Sequence, residues 1–123
     1  MANNPVNWFE IYVQDMERAK TFYESVFDIK LTPLNSPVIE MWAFPSDMNS
    51  FGTSGALVKM EGLTPGGIST IVYFSTKDCK AELQRIAQNG GRIHKDKMDI
   101  GEYGFYALAY DSEGNMFGLH SME

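Results

Sequence analysis

Glu10 and His120 are the residues of this sequence whose types best suit proton transfer. The chain has two histidines, His94 and His120, and a histidine beside a carboxylate is a common acid–base arrangement. Glu10 lies in the alternating segment "WFEIYV", and His120 lies in the apolar segment "MFGLHS". If both side chains point into one cleft, Glu10 would act as general base and His120 as the acid or as the group that orients it.

The same pair has two other interpretations. It could contact a ligand without catalysing a reaction, or it could form a buried hydrogen bond with a structural role alone. Other candidates are weaker. His94 stands beside Lys95 and Asp96 without an expected partner, which indicates a surface histidine. The carboxylates of the "DSEGN" segment are typical of a turn, where they accept hydrogen bonds from backbone amides.

Cys79 is the only cysteine of the chain. A single cysteine excludes an internal disulfide and any metal site built from several thiolates. Cys79 falls at the expected first turn of a helix, where the helix dipole favours a thiolate. A lone cysteine at such a place is more often inert, so we assign it no role.

The elements that position Glu10 follow from hydrophobic periodicity. Alternation over residues 8–13 predicts a strand. Its two faces carry Phe9, Ile11 and Val13 on one side and Trp8, Glu10 and Tyr12 on the other. Asp15 is the expected N-cap of a helix that follows. The apolar positions of that helix form one predicted buried stripe, which consists of Ala19, Phe22, Tyr23, Val26 and Phe27.

The chain contains an internal repeat. "VNWFEIYVQDMERAKTFYESVF" and "GISTIVYFSTKDCKAELQRIAQNGG" each run from a strand into an aspartate, Asp15 or Asp78, and then into a helix. Such a repeat fixes the architecture before any single residue is interpreted. The further predicted strands cover residues 29–34, 38–44 and 55–60 in the first copy; the second has strands at 69–75, 92–97, 105–110 and 116–121, with its helix from 78 to about 87.

These elements predict an α+β fold of two tandem β-α-β-β-β modules, whose curved mixed sheet would surround a cleft. We expect a single domain over residues 1–123, with module one at about 5–62 and module two at about 67–123. The segment "EGLTPGG" would join them. The predicted cleft lining is aromatic, which suits an apolar or planar small molecule, and its expected ligand-contacting residues are Trp8, Tyr12, Trp42 and Tyr73. Alternatively, these rings fill the cleft themselves.

Composition limits the classes of partner. Hydrophobic residues make up 44% of the 123 residues, yet no apolar run approaches the roughly 20 residues that span a bilayer. The formal net charge of −6 disfavours nucleic acid, because the phosphate backbone would be repelled. The N-terminal residues show no secretory signal. We therefore expect a cytoplasmic protein with no membrane or nucleic-acid partner.

Two of these segments resemble a known family. "DMERAKTFYESVF" is similar to the first-helix signature of the vicinal-oxygen-chelate superfamily, which includes glyoxalases, bleomycin-resistance proteins and extradiol dioxygenases, and "YDSEGNMFGLHS" is similar to its final hairpin. The resemblance covers the whole chain and points to the glyoxalase-like branch. It implies the duplicated fold, a bound small molecule and, by analogy with many members, a homodimer.

The resemblance also implies a divalent metal, but this chain departs from the family at the metal-ligand positions. Those positions, normally histidine, glutamate or glutamine, fall on Trp8 and Ile71 in the first strands of the modules. In the last strand the ligand position falls on Gly118, and its counterpart in module one is Gly55. We therefore expect no cofactor and no metal at the family positions, although a divalent metal held by other residues stays open.

Together these features predict a glyoxalase-like protein that binds a small molecule. If it is an enzyme, it would be a lyase, an isomerase or a dioxygenase-type enzyme without the usual metal ligands, and Glu10 would handle the proton. The alternative is a non-catalytic module that sequesters a ligand, as a resistance protein does. The sequence leaves the choice between them open.

Overall fold

A computed structural model describes residues 4–36, 39–47, 49, 52–62 and 69–123 of the chain. The chain divides into two compact units. The N-terminal unit is Trp8–Thr70, and the C-terminal unit is Met1–Asn7 together with Ile71–Glu123. The predicted joint "EGLTPGG" lies largely outside the described residues.

The N-terminal unit packs one helix against a mixed sheet. Its elements are β1 (Val6–Tyr12), α1 (Met16–Phe27), β2 (Thr32–Pro33), β3 (Glu40–Ala43) and β4 (Ser54–Lys59). The strand order is β2-β3-β4-β1. Strand β1 runs parallel to β4, and the other neighbours are antiparallel.

The C-terminal unit repeats this arrangement. Its elements are β5 (Thr70–Ser75), α2 (Cys79–Ile86), a 3₁₀ turn (Ala87–Asn89), β6 (Arg92–Asp99), a second 3₁₀ turn (Gly101–Tyr103), β7 (Phe105–Tyr110) and β8 (Met116–Ser121). The order β5-β8-β7-β6 again places the first strand parallel to the last. The predicted α+β class and the duplicated β-α-β-β-β order are confirmed.

Both helices begin at the aspartates that the sequence indicates. The carboxylate of Asp15 accepts a hydrogen bond from the backbone N–H of Arg18 at 3.0 Å, and that of Asp78 accepts one from Lys80 at 3.0 Å. These bonds satisfy amide groups that have no partner inside the helix. After α2, Gly90 takes a left-handed conformation with φ of 91°, which glycine adopts without steric cost.

The core of the N-terminal unit lies between α1 and the sheet, but the helix uses a narrower stripe than predicted. Met16 is buried, and Ala19 and Tyr23 pack against the core. Phe22, Val26 and Phe27 are 58%, 57% and 61% exposed, so the prediction that they are buried was wrong. At 3.6 residues per turn, Phe22 lies about 90° around the helix from the buried line. Phe27 follows that line but lies in the last turn, stacked on Tyr23.

The core of the C-terminal unit is built in the same way. Cys79 and Leu83 of α2 pack with Ala107 of β7 and Leu119 of β8. Phe74, Ile86, Phe105 and Phe117 surround this cluster. The packing places Phe74, Phe117 and Leu119 on the helix side, and the residues that alternate with them face away from α2.

The strand predicted at 29–34 is shorter in the structure. Only Thr32 and Pro33 pair with β3. The backbone N–H of Leu31 donates to the carboxylate of Glu24 at 2.8 Å, so it is used outside any strand ladder. Pro33 has no N–H to donate, which confines it to an edge position. Among the described residues, no helix is long and apolar enough to cross a membrane.

Candidate functional site

Glu10 projects from β1 on the face of the sheet opposite α1. Its neighbours in the chain, Phe9 and Ile11, face the helix: Ile11 packs against the α1 core, and the Phe9 ring lies 5.5 Å from that of Phe44, which packs on the same core. Successive residues of a strand point to opposite faces. The predicted division of this strand into two faces is confirmed.

Two aromatic side chains of the same strand hold the Glu10 carboxylate. The Tyr12 hydroxyl donates to Oε1 at 2.7 Å, and the indole Nε1–H of Trp8 donates to Oε2 at 3.2 Å. Glu10 is only 7% exposed. A buried carboxylate is tolerated where hydrogen bonds replace its hydration. Trp8, Glu10 and Tyr12 are therefore joined by hydrogen bonds, and we call these three side chains the Glu10 cluster.

Trp42 does not share this face. It pairs with Leu57, which pairs with Ile11 on β1, and it packs against the α1 core. The prediction that Trp42 lines the same cleft as Glu10 was wrong, because Trp42 lies on the α1 side of the sheet. Alternation fixes which residues of one strand share a face, but only the register with the next strand decides which face that is. The register is not visible in the sequence.

Trp42 instead belongs to a surface arrangement on the helix side. The Lys20 ammonium lies 3.3 Å from the centre of its ring, and its indole N–H donates to Glu40 at 3.2 Å. Trp42 also lines a shallow groove of about 410 Å³ along β2 and β3, together with Pro33, Leu34, Ser36, Ile39, Glu40 and Met41. Its role in ligand binding stays a prediction, now attached to a different surface from that of Glu10.

Tyr73 is buried on the face of the C-terminal unit that points away from α2. Its register partner on β8 is Gly118, and a Cβ added at Gly118 would meet ring carbons of Tyr73. In the N-terminal unit Gly55 pairs with Phe9, and a Cβ there would meet the Phe9 carbonyl and ring. This contact lies on the face toward α1, so the expectation that Gly55 is the counterpart of Gly118 was wrong. The sequence indicated the glycines but not the rings that cover them.

His120 shares the face of Gly118, as predicted, since both pair with alternating residues of β7. Its Nε2 lies 2.6 Å from the carbonyl oxygen of Tyr103, which can only accept, so Nε2 carries the proton. Its Nδ1 then accepts from the Asn7 amide at 3.5 Å. Glu10 belongs to the N-terminal unit and His120 to the C-terminal unit, and their acid–base pairing stays a prediction.

The remaining ionisable candidates have structural contacts. Asp111 accepts hydrogen bonds from the backbone N–H groups of Asn115 and Glu113, and these hold the pKa of its carboxyl below the usual range. The predicted turn role is confirmed. His94 is exposed, with its ring edge-on to Tyr110. Cys79 is buried, and its backbone N–H donates to the Ser121 hydroxyl at 3.2 Å.

The residues at the implied metal positions do not fit a divalent cation. The Trp8 indole is a donor only, Ile71 has no donor atom, and aromatic rings fill the space beside Gly55 and Gly118. Among the described residues, no three of the types His, Cys, Asp and Glu gather into a group that could hold a metal ion. The expectation of a protein without a cofactor stays a prediction.

Comparison with known proteins agrees with this architecture. A glyoxylase-like domain-containing protein of Didymella fabae is 29% identical over 123 residues, covering 97% of this chain and 94% of that protein. CFP32 of Mycobacterium bovis is 27% identical over 119 residues; the match covers 92% of this chain but only 44% of CFP32, so the chain spans about half the length of that relative.

Solved structures show the same fold at lower identity. A variant of the Streptomyces coelicolor methylmalonyl-CoA epimerase, in complex with 2-nitronate-propionyl-CoA, superposes with a TM-score of 0.66 at 16% identity. The match covers 95% of this chain and 96% of the epimerase. A model of the Glyoxalase/Bleomycin resistance protein/Dioxygenase superfamily matches residues 6–119. The chain belongs to the Glyoxalase/Bleomycin resistance protein/Dioxygenase superfamily.

Proposed function

We propose that this protein binds a small organic molecule at the Glu10 cluster and catalyses an isomerase-type proton transfer in which Glu10 handles the proton. The observation that carries the proposal is a carboxylate that is 7% exposed and is oriented by Trp8 and Tyr12 on its own strand. Burial of a carboxylate opposes folding by several kcal/mol unless its hydrogen bonds compensate.

The surroundings of Glu10 favour a planar or weakly polar ligand. Trp8 is half-buried and Tyr12 is buried, so aromatic surface adjoins the carboxylate. Ligand sites commonly combine an apolar lining with a few oriented polar groups. Because the two aromatic donors fix the plane of the carboxylate, Glu10 would meet a ligand C–H or N–H group in a defined direction.

The proposed reaction moves one proton without changing the composition of the ligand. The bond between hydrogen and a carbon next to a carbonyl group would break, with the proton passing to the Glu10 carboxylate and the electron pair passing into an enolate. A proton from solvent would then reach the same carbon from the other side, and Glu10 would release the abstracted proton to solvent, so that the number of protons is unchanged. Fold similarity to a methylmalonyl-CoA epimerase supports this reaction class by analogy.

A second candidate is a binding module that sequesters its ligand without turnover. The covered positions Gly55 and Gly118 favour it, because they leave no metal ligand where the family resemblance implies one. An enolate would then depend on hydrogen-bond donors alone for its stabilisation. Sequestration requires a pocket but no such stabilisation, and it is the function of a resistance-type protein.

Proton exchange distinguishes the two candidates. The protein would be incubated in D₂O with a panel of carbonyl compounds, including methylmalonyl-CoA, and exchange at the carbon beside the carbonyl would be followed by proton NMR. Glu10→Gln should lower the exchange rate by at least about 100-fold. Glu40→Gln is the matched control, because Glu40 also accepts from a tryptophan two residues away at 3.2 Å but is exposed.

The outcomes separate clearly. Exchange that is lost in Glu10→Gln and kept in Glu40→Gln supports the isomerase. Saturable binding that raises the melting temperature, with no exchange across the panel, would instead support sequestration. Exchange that survives in Glu10→Gln would overturn the role of Glu10.

The proposal also includes a homodimer in the cytoplasm. Fold-level analogy is its support, since the relatives establish neither property for this chain. Light scattering coupled to size-exclusion chromatography measures the mass directly. A mass of one chain at micromolar concentration would remove the dimer from the proposal.

A further inference from the structure

Strand β6 carries several cationic side chains in an acidic protein. The chain has a net charge of −6, yet Arg92, Lys95 and Lys97 lie within six consecutive residues of β6, which also include Asp96. This strand is the last in the order of its unit, so β7 is the strand that it pairs with in the described sheet. Charged residues often protect such an edge from pairing with other chains. Edge protection alone does not require the ordered placement of these side chains that the structure shows.

Two irregularities in β6 bring three side chains onto one face. Arg92 pairs with Tyr110, Lys95 with Leu108 and Met98 with Tyr106. The partners advance by two residues along β7, whereas β6 advances by three, so each step contains a register shift of the β-bulge type. In a regular strand, Arg92 and Lys95 would point to opposite faces. The extra residues re-aim Lys95 and Met98 to the side of Arg92, as bulges commonly do near binding sites.

The two cations on this face lie against tyrosine rings. The Arg92 guanidinium carbon is 4.4 Å from the centre of the Tyr110 ring, and the Lys95 ammonium is 5.9 Å from that of Tyr106. His94 adds a ring edge-on to Tyr110, with 5.4 Å between the ring centres. These contacts lie on the sheet face away from α2, because Tyr106 pairs with His120 and Tyr110 with Met116.

The charges of Arg92 and Lys95 are not neutralised within the described part of the chain. Neither has a carboxylate within 4.0 Å there. Lys97 provides the contrast. It lies near the ring of Phe105, a residue of the α2 core, and it pairs with Asp78 at 2.8 Å. Lys97 thus belongs to a structural ion pair, whereas Arg92 and Lys95 lie beside Tyr110 and Tyr106 on the face away from α2.

We propose that Arg92, Lys95, Tyr106 and Tyr110 form a binding subsite for a small aromatic or planar organic anion that carries a carboxylate or a phosphate. A guanidinium held near an aromatic ring has lost part of its side-chain freedom before binding, and its N–H edges can still bind two oxygens of an anion. Preorganisation of this kind raises affinity by lowering the entropic cost of ordering the side chain. The tyrosines, which are half-buried, offer ring surface to the planar part of the ligand.

The test is an NMR titration of the ¹⁵N-labelled full chain in 150 mM NaCl with three probes. Phenyl phosphate and benzoate carry the two kinds of anion on the same ring, and benzyl alcohol is the neutral analogue. We expect saturable amide shifts in β6 and β7 with at least one anion and none with benzyl alcohol. The stronger of the two anions then identifies which anionic group the subsite prefers.

Substitutions decide where the anion binds. Arg92→Gln combined with Lys95→Gln should weaken binding at least tenfold. Lys30→Gln combined with Lys59→Gln changes the net charge equally and should leave binding within twofold. Circular dichroism would confirm that each variant is folded, and if the double variant is not, Arg92→Lys replaces it, because a lysine keeps the charge but loses the planar fork.

Three results would overturn the subsite. The first is the absence of shifts with both anions up to about 10 mM, a concentration about ten thousand times a micromolar dissociation constant. The others are shifts that rise without saturation and equal weakening in both double variants. Glu10→Gln, tested with the same probes, should bind them normally. The subsite therefore stands or falls separately from the isomerase proposal.

Discussion

Gly118→Ala is expected to destabilise the protein because a tyrosine ring occupies the space that a methyl group needs. The three atoms nearest to an added Cβ all belong to the Tyr73 ring, and its Cγ would lie only 2.8 Å away. Contacts under 3.0 Å essentially never occur for a real Cβ. Tyr73 is buried, so its ring cannot turn outward without leaving a cavity. Either the ring or strand β8 must shift.

The magnitude follows from two opposing effects. Overpacking of a buried site costs about 1–3 kcal/mol, whereas replacing glycine by alanine stabilises by about 0.4–1 kcal/mol through the unfolded chain. A net loss of about 1–2 kcal/mol is expected. In a Tyr73→Leu background the rigid ring is absent, and Gly118→Ala should become neutral or slightly stabilising. The coupling energy of the double-mutant cycle should therefore be about 1–2 kcal/mol, within the range for residues in contact.

The equivalent cycle in the N-terminal unit should behave differently. A Cβ at Gly55 would meet the backbone carbonyl oxygen of Phe9 as well as its ring. Phe9→Leu removes the ring but leaves the carbonyl in place. We expect Phe9→Leu to recover only part of the loss caused by Gly55→Ala, which makes this cycle a matched control for the cycle at Gly118.

Urea denaturation followed by tryptophan fluorescence measures all seven proteins of the two cycles, which share the wild type. The midpoints can be converted to free energies of unfolding where the slope with urea is unchanged. A Gly118→Ala variant as stable as the wild type would refute the reasoning. So would a loss of equal size with and without the Tyr73 ring, because the cause would then lie in the backbone and not in that contact.

Three further predictions concern single contacts. Tyr12→Phe removes the hydroxyl donor to a buried carboxylate and should lower the free energy of unfolding by about 1.5–3 kcal/mol in urea titrations. In a Glu10→Gln background the same substitution should cost less. An equal cost in both backgrounds would contradict a charge-assisted hydrogen bond. Asp15→Ala should cost about 1 kcal/mol through loss of the N-cap, and Asp15→Asn should restore most of it. Lys97→Met removes the group that chiefly holds the pKa of Asp78 below its usual range. A carboxyl whose pKa is lowered in the folded state stabilises the fold above its unfolded pKa and loses this contribution as the pH falls through the folded pKa. The melting temperature of the wild type should therefore exceed that of Lys97→Met by a constant amount above about pH 5, and the difference should shrink at lower pH. A difference that stays constant down to pH 2 would refute this prediction.

Local patterns were sufficient to predict the elements of the fold. The strands at 105–110 and 116–121 and both helix N-caps follow from alternation and from the position of an aspartate before an apolar helix. The duplicated strand order follows from the internal repeat. These features depend on neighbours in the chain, so the sequence displays them directly.

Features that depend on pairing between strands could not be predicted in this way. Trp42 was assigned to the wrong face because its position depends on the register between β3 and β4. In a regular strand, residues two apart share a face, but the register shift in β6 brings Arg92 and Lys95, which are three residues apart, onto the same face. Phe22 and Val26 fit an apolar helical pattern, yet α1 buries a narrower stripe than that pattern implies. In each case the local pattern is compatible with more than one arrangement, and packing selects one.

The candidate site shows the same division. Trp8, Glu10 and Tyr12 were expected to share a face, and the structure joins them through two hydrogen bonds that alternation alone could not specify. The family resemblance placed the implied metal positions of the last strands at Gly55 and Gly118, but Gly55 faces α1 and Gly118 faces away from α2, so the two are not equivalent. That an aromatic ring of the parallel neighbouring strand covers each glycine became visible only with the register.

The contact between Gly118 and Tyr73 bears on how the chemistry of this protein could differ from that implied by the family resemblance. Tyr73 lies on the first strand of its unit and Gly118 on the last, and the two residues are register partners. A carboxylate restored at Gly118 would need the space that Tyr73 now fills, so a single substitution could not return a metal ligand there. The contact between Gly55 and Phe9 lies on the opposite face, toward α1, so this packing argument applies to the C-terminal unit. Glu10, which lies outside these positions, is the carboxylate through which any proton transfer has to be sought first.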